Sequence, residues 1–169
     1  MPFCRFALSA SLLPLVLSAG AIAQDRQEGT VTPAEAVAAA GDCVAGQAAA
    51  GQPAADCVNR AQELCLQFPE SAADAATACF RDMKDAWGTA VAARMDEIAA
   101  TAPEEIAAVA RIEVRYDLTI NLLQCDRMDA LNRLRDQPPE LLRAQDARCE
   151  STATGLTYVK LLLQSRDAE

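Results

Sequence analysis

A chain of 169 residues with 24 acidic and 15 basic side chains, a net charge of −9 and no histidine has room for one modest domain and a narrow choice of chemistry. Its acidity disfavours nucleic acid and anionic lipid, both of which would repel it. Without histidine there is no Ser-His-Asp or Cys-His catalysis, no HExxH zinc site and no ordinary general base near neutral pH.

The first residues carry an export signal. Arg5 is a short positive n-region, Phe6 to Leu17 is a mostly apolar run broken by Pro14, and Ala21-Ile22-Ala23 is an A-x-A cleavage motif. The run is too short to span a bilayer. Residues 1–23 therefore read as a signal peptide, cleaved after Ala23 and taking Cys4 with it, and no later segment is apolar enough to cross a membrane. The expected location is periplasmic or secreted. Losing Arg5 leaves residues 24–169 with 14 basic and 24 acidic side chains, a net charge of −10. Six cysteines remain, an even number in an oxidising compartment.

Residues 24–31 are polar and aperiodic and read as a flexible arm before a single α-helical domain. Thr32-Pro33-Ala34-Glu35 is a capping box with proline at the first helical position, opening a helix through Val37 and Cys43 toward Ala50. Gly51-Gln52-Pro53 ends it. A second helix carries Cys57, Val58, Ala61, Leu64, Cys65 and Phe68 at spacings of three and four. Pro69 breaks the chain, and Ser71 with Asp74 predicts the cap of a third, longer helix. Its inward stripe is Cys79, Phe80, Met83, Trp87, Val91, Met95 and Ile98, with Gly88 marking a weak point. Thr101-Ala102-Pro103-Glu104 repeats the capping pattern and opens a fourth helix, expected to run to about Asp136. Its apolar stripe is Ile106, Val109, Ile112, Tyr116, Ile120 and Leu123, with Cys125 just beyond. After Gln137-Pro138-Pro139 a fifth helix follows, with Leu142, Cys149, Leu156, Val159 and Leu163 inward. No stretch alternates as a strand would. The fold class is all-α: antiparallel helical hairpins in a bundle of about five helices.

Cysteines level with each other across the turn of such a hairpin have the geometry a disulfide needs. Cys43 and Cys65 are centred on Ala54, Cys57 and Cys79 on Phe68, and Cys125 and Cys149 on Gln137, which predicts the pairs 43–65, 57–79 and 125–149. Cys57 and Cys65, eight apart on one helix, differ by roughly 80° in direction and about 12 Å in height, so each faces a different neighbour. Alanine-rich helices bury little apolar area, and three disulfides at roughly 2–4 kcal/mol each supply what the core does not.

Little in the chain suggests a reaction. The glycines form no GxGxxG or Walker pattern, no CxxC is present, and the carboxylates single out no pair. The chain is expected not to be an enzyme and to need no cofactor or metal. Trp87 reads as a core filler beside the Cys79 position rather than a binding anchor, and Tyr116 and Tyr158 fit core stripes with their hydroxyls at the rim. Arg111, Arg115, Arg133, Arg135, Arg143 and Arg148 read as solvated faces.

The run Cys57-Val-Asn-Arg-Ala-Gln-Glu-Leu-Cys65, with Cys43 before it and Cys79-Phe80, Trp87, Cys125 and Cys149 after it, resembles a cysteine-rich exported branch of the LprI-like lysozyme-inhibitor family. The polar positions depart from the family pattern, with Met83 in place of its Glu, Gly88 in place of its Asp and Val91-Ala92 in place of its Leu-Asn. The resemblance implies an exported helical binding protein whose partner is a basic muralytic enzyme or another envelope protein. An acidic chain would meet a basic partner by steering, and Asp82, Asp85 and Asp96 are the candidate contacts. The alternative is an envelope interaction module on the same scaffold without inhibitory activity.

Overall fold

Helical structure begins where the capping chemistry demands it. Glu35 N–H donates to the Thr32 hydroxyl at 3.3 Å while the Glu35 carboxylate accepts Thr32 N–H at 2.8 Å, with Pro33 first in the helix. The Thr32 backbone contact holds the Glu35 carboxyl below its ordinary range. The computed structural model describes residues 31–166. The signal-peptide reading and all but the last residue of the N-terminal arm lie outside them. Among the described residues there are six α-helices and no strand: α1 (Pro33–Ala49), α2 (Asp56–Ala61), α3 (Glu63–Leu66), α4 (Ala73–Thr101), α5 (Glu104–Asn132) and α6 (Pro139–Arg166). The all-α, disulfide-stapled class is what the sequence predicts. The helix count is one higher because the expected second helix breaks at Gln62.

That break has a side-chain counterpart. Gln62 is fully buried, and its Nε2 donates to Ser151 Oγ at 3.1 Å and faces Thr152 Oγ1 at 3.2 Å. A buried amide needs such partners, and the chain between α2 and α3 turns at Gln62, beneath α6. Two predicted caps are corrected. Ser71 lies inside a 3-10 turn (Glu70–Ala72), and α4 starts without a side-chain cap. Thr101 is the last residue of α4, its hydroxyl donating to the Glu97 carbonyl at 2.8 Å, and Pro103 precedes α5. The fourth predicted helix also stops at Asn132, short of Asp136.

The core has two parts. The larger joins Val37, Ala40 and Val44 of α1, Cys57 and Val58 of α2, Phe80, Met83 and Trp87 of α4, and Ala147 and Val159 of α6. The smaller, Val91, Ile98, Ala107 and Leu161, lies where α5 meets α4 and α6. Helix α6 is central, packed along both α4 and α5. It approaches closely because its inward face is small: Ala147, Ser151 and Gly155 are spaced one turn apart and buried. A Cβ on Gly155 would stand 2.8 Å from Val58 Cγ1 and 3.0 Å from Trp87 Cε2. Trp87 is thus a core residue, tilted against Tyr158 at a centroid distance of 5.6 Å. Leu156, expected inward, is 37% exposed, and the buried positions around it belong to Thr154, Gly155 and Thr157.

All six cysteines among the described residues are oxidised, but two of the predicted pairings are wrong. The bonds are Cys43–Cys57, Cys65–Cys79 and Cys125–Cys149. The level-across-the-turn rule holds, and its pivots were misplaced. Gly51 at φ 65° carries the left-handed step that ends α1, so the first hairpin turns about Ala50 and not Ala54. The second turns about Ala72, at the 3-10 turn, and not Phe68. Cys57 and Cys65 do face different neighbours, so the short α2–α3 segment is tied to α1 at one end and to α4 at the other.

The largest difference concerns α5. Its apolar stripe faces away from the core: Ile106, Val109, Ile112, Tyr116, Ile120 and Leu123 are all at least 45% exposed, while only Ala107 and Cys125 of this helix are buried. The bond to Cys149 explains it. At about 100° per residue, Leu123 points roughly 200° and Tyr116 roughly 180° away from Cys125. Turning Cys125 toward α6 turns the stripe outward.

Peptide mapping of oxidised protein is expected to recover the links 43–57, 65–79 and 125–149, and a 43–65 or 57–79 peptide would contradict this topology. Two glycine substitutions should move stability in opposite directions in denaturant titrations. Gly155→Ala forces an overlap with Val58 and Trp87 and should cost roughly 1–3 kcal/mol. Gly88→Ala adds a Cβ into open space within α4 and should stabilise by about 0.5–1 kcal/mol.

Candidate functional site

The candidate contacts lie on α4, which is anchored at its start by Cys65–Cys79. Asp82, Asp85 and Asp96 are exposed. At about 100° per residue they fall within roughly 60° of one another and extend over about 21 Å of helix. The face is opposite the one that buries Met83, Trp87, Val91 and Ile98. Among the described residues none of the three takes part in an ion pair. Asp74, on the same side, does, with Arg143 Nη2 3.0 Å from its carboxylate. The structure therefore brings the three sequence-chosen carboxylates into a single row on a braced helix.

The arginines read as solvated are all exposed, with Arg133 on Asp129 at 2.7 Å and Arg143 on Asp74. Tyr158 packs at the core edge, and burial raises its phenol pKa. Tyr116 is 65% exposed and departs from the core stripe expected of it.

A groove of about 850 Å³ opens between the end of α4, the start of α5 and the end of α6. Its polar lining is already committed. Arg94 Nη2 donates to Ser165 Oγ at 2.7 Å, Arg94 Nη1 pairs with Glu97 at 2.6 Å, and Gln164 Nε2 donates to Glu113 Oε2 at 2.6 Å. Its apolar lining includes Ile98, Ile106, Val109 and Leu161. No group of three or more His, Cys, Asp or Glu positioned to hold a metal is found among the described residues, and no described helix is long and apolar enough to cross a membrane.

The second surface of interest is the α5 stripe, which sequence reasoning assigned to the core. Helix α5 turns a different face to α6. Ala107, Ala110 and Val114 pack there, Asp117 accepts from Lys160 Nζ at 2.7 Å, and Cys125 is bonded to Cys149. The Asp117 hydrogen bond is the main reason that the Lys160 ammonium titrates above its ordinary range. The signal that would have found the outward stripe is the angular offset between Cys125 and Leu123.

Carboxylates gather beside Cys125–Cys149. Burial, then Glu150, Asp129 and Asp126, raise the Asp146 pKa against the opposing pull of Arg133. A raised carboxyl favours the protonated form in the folded chain. That contribution is fully present below the ordinary Asp range of about 3.9 and is lost as pH rises through the raised value. Asp146→Asn is therefore expected to raise the thermal midpoint at pH 7, with the gain disappearing by about pH 3. Melting curves of both chains across that range check the sign.

No family model matches the chain, and comparison with curated proteins and with solved structures returned no similar protein.

Proposed function

We propose that the chain is a non-enzymatic, exported binding protein that engages a basic protein through the carboxylate row of α4. The observation that carries this reading is the set Asp82, Asp85 and Asp96: three exposed carboxylates without ion-pair partners among the described residues, aligned on a helix whose opposite face is locked into the core. Three disulfides suit an oxidising compartment outside the cytosol, and the net charge of −9 adds long-range attraction for a cationic partner. The resemblance to LprI-like inhibitors makes a basic muralytic enzyme the first partner to test. The exposed stripe of α5 favours the second reading, an envelope interaction module that binds through apolar contact and inhibits nothing.

Turbidity assays with basic lysozymes distinguish them. Oxidised protein is expected to slow cell-wall lysis at low salt, and the effect should weaken as the Debye length shrinks from about 10 Å at 0.1 M to about 3 Å at 1 M. The loss belongs mostly to the association rate. A chain with Asp82, Asp85 and Asp96 all changed to Asn should keep its fold and lose most of that association rate. Full enzyme activity at low salt across several basic lysozymes would overturn inhibition and leave the interaction module.

A further inference from the structure

Nine large apolar residues between Ile106 and Leu134 are each at least 43% exposed. Leu134 lies in the turn just past α5, and the eight within the helix, from Ile106 to Leu131, stretch over about 38 Å, so a helix face about 10–12 Å wide presents on the order of 400 Å² in projection. Two such faces, with Leu134 added at each end, approach the roughly 1,000 Å² that a specific interface requires. That is more than singly scattered surface residues amount to.

The spacing carries further information. Ile106, Val109, Glu113, Tyr116, Ile120, Leu123, Arg127, Leu131 and Leu134 follow one another at intervals of three and four, the repeat of a helix-pairing seam. The seam is nearly palindromic about Ile120. Ile106 and Leu134 lie fourteen residues to either side, and Val109 and Leu131 lie eleven to either side. Its two charged members are Glu113 and Arg127, of opposite sign and each seven residues from Ile120. A two-fold axis at Ile120 would set each Glu113 against the other copy's Arg127. A parallel arrangement would set Glu113 on Glu113 and Arg127 on Arg127.

We infer that the α5 face pairs with a second copy of this chain, antiparallel, about a two-fold axis at Ile120. Isologous pairing requires a patch complementary to itself in reverse, and this seam is so in both its apolar and its charged positions. Glu113 can serve both contacts, since Gln164 occupies only Oε2 and the second carboxylate oxygen is left for Arg127 of the other copy. Arg127 is exposed and, among the described residues, makes one side-chain hydrogen bond, to Gln124 Oε1 at 3.2 Å. The inference does not depend on the α4 reading, because it uses a different helix and a different test.

Sedimentation equilibrium on oxidised protein over a concentration series tests it. A reversible dimer is expected. Glu113→Arg and Arg127→Glu should each raise its dissociation constant roughly tenfold or more, because each places like charges together twice. The double exchange should restore it. Ile120→Asp puts two carboxylates on the axis and should give a monomer. Ile120 is 45% exposed in the single chain, so unchanged circular dichroism and thermal midpoint under monomeric conditions will show that the fold survives. A monomer at every concentration, including one whose α5 face is covered by the chain's own N-terminal residues or filled only by another protein, would overturn the inference. So would a dimer indifferent to Ile120→Asp, or one that the double exchange fails to rescue.

Discussion

The contact between Trp87 and the backbone at Gly155 governs how this bundle is put together. Helix α6 presents Ala147, Ser151 and Gly155 to its neighbours, so α2 and α4 come close enough for Trp87 and Val58 to reach its backbone. Close approach has a cost in buried area. Small side chains contribute little at about 25 cal/mol per Å², and the hydroxyls of Ser151 and Thr152 must be matched, as Gln62 matches them. The Trp87 Nε1 group is buried there and finds no partner among the described residues. A core of this kind depends on crosslinks. The first two disulfides fasten the segment that holds Gln62 and Val58 against α1 and α4, and so fix the floor on which α6 rests.

The third disulfide has a different consequence. Cys125 and Cys149 sit on either side of the Gln137-Pro138-Pro139 break, and their bond sets the roll of α5 about its own axis. Lys160 with Asp117, and Gln164 with Glu113, hold the same roll nearer the other end of the hairpin. Helix α5 is thereby attached through polar pairs, small residues and one covalent bond. Of its large apolar residues Val114 packs inward, while the outward stripe is left mostly in solvent.

Most of the architecture was legible because punctuation and periodicity agree in this chain. Thr32-Pro33 with Glu35, the Pro69 break and the double proline at 138–139 delimit helices wherever local chemistry alone decides. The inward stripe of α4 was readable because Phe80, Met83, Trp87, Val91 and Ile98 had no competing constraint. The first two disulfide pairings were not readable in the same way. Symmetry of spacing admits more than one pivot, and only the φ of Gly51 and the 3-10 turn at Ala72 choose between them. The acidic row needed nothing but the helical period, since its residues stay in solvent. The orientation of α5 was misread for a physical reason: an apolar stripe is inward only if nothing else fixes the helix. The position of Cys125 relative to Leu123 already contained the answer.

The outward stripe also bears on what state of the chain is stable. Roughly 400 Å² of largely apolar helix face left in water forgoes on the order of 10 kcal/mol at about 25 cal/mol per Å², comparable to the whole net stability of a small domain, about 5–15 kcal/mol. Rolling α5 by half a turn would recover much of that, yet it would carry Cys125 away from Cys149 and separate Lys160 from Asp117. The covalent bond forbids the rearrangement. Within this fold the stripe can be buried only from outside the chain's own core, as the inferred pairing with a second copy would do. The same bond that turns the stripe of α5 outward also fixes that face in place, which would lower the ordering cost that a flexible segment meets on association.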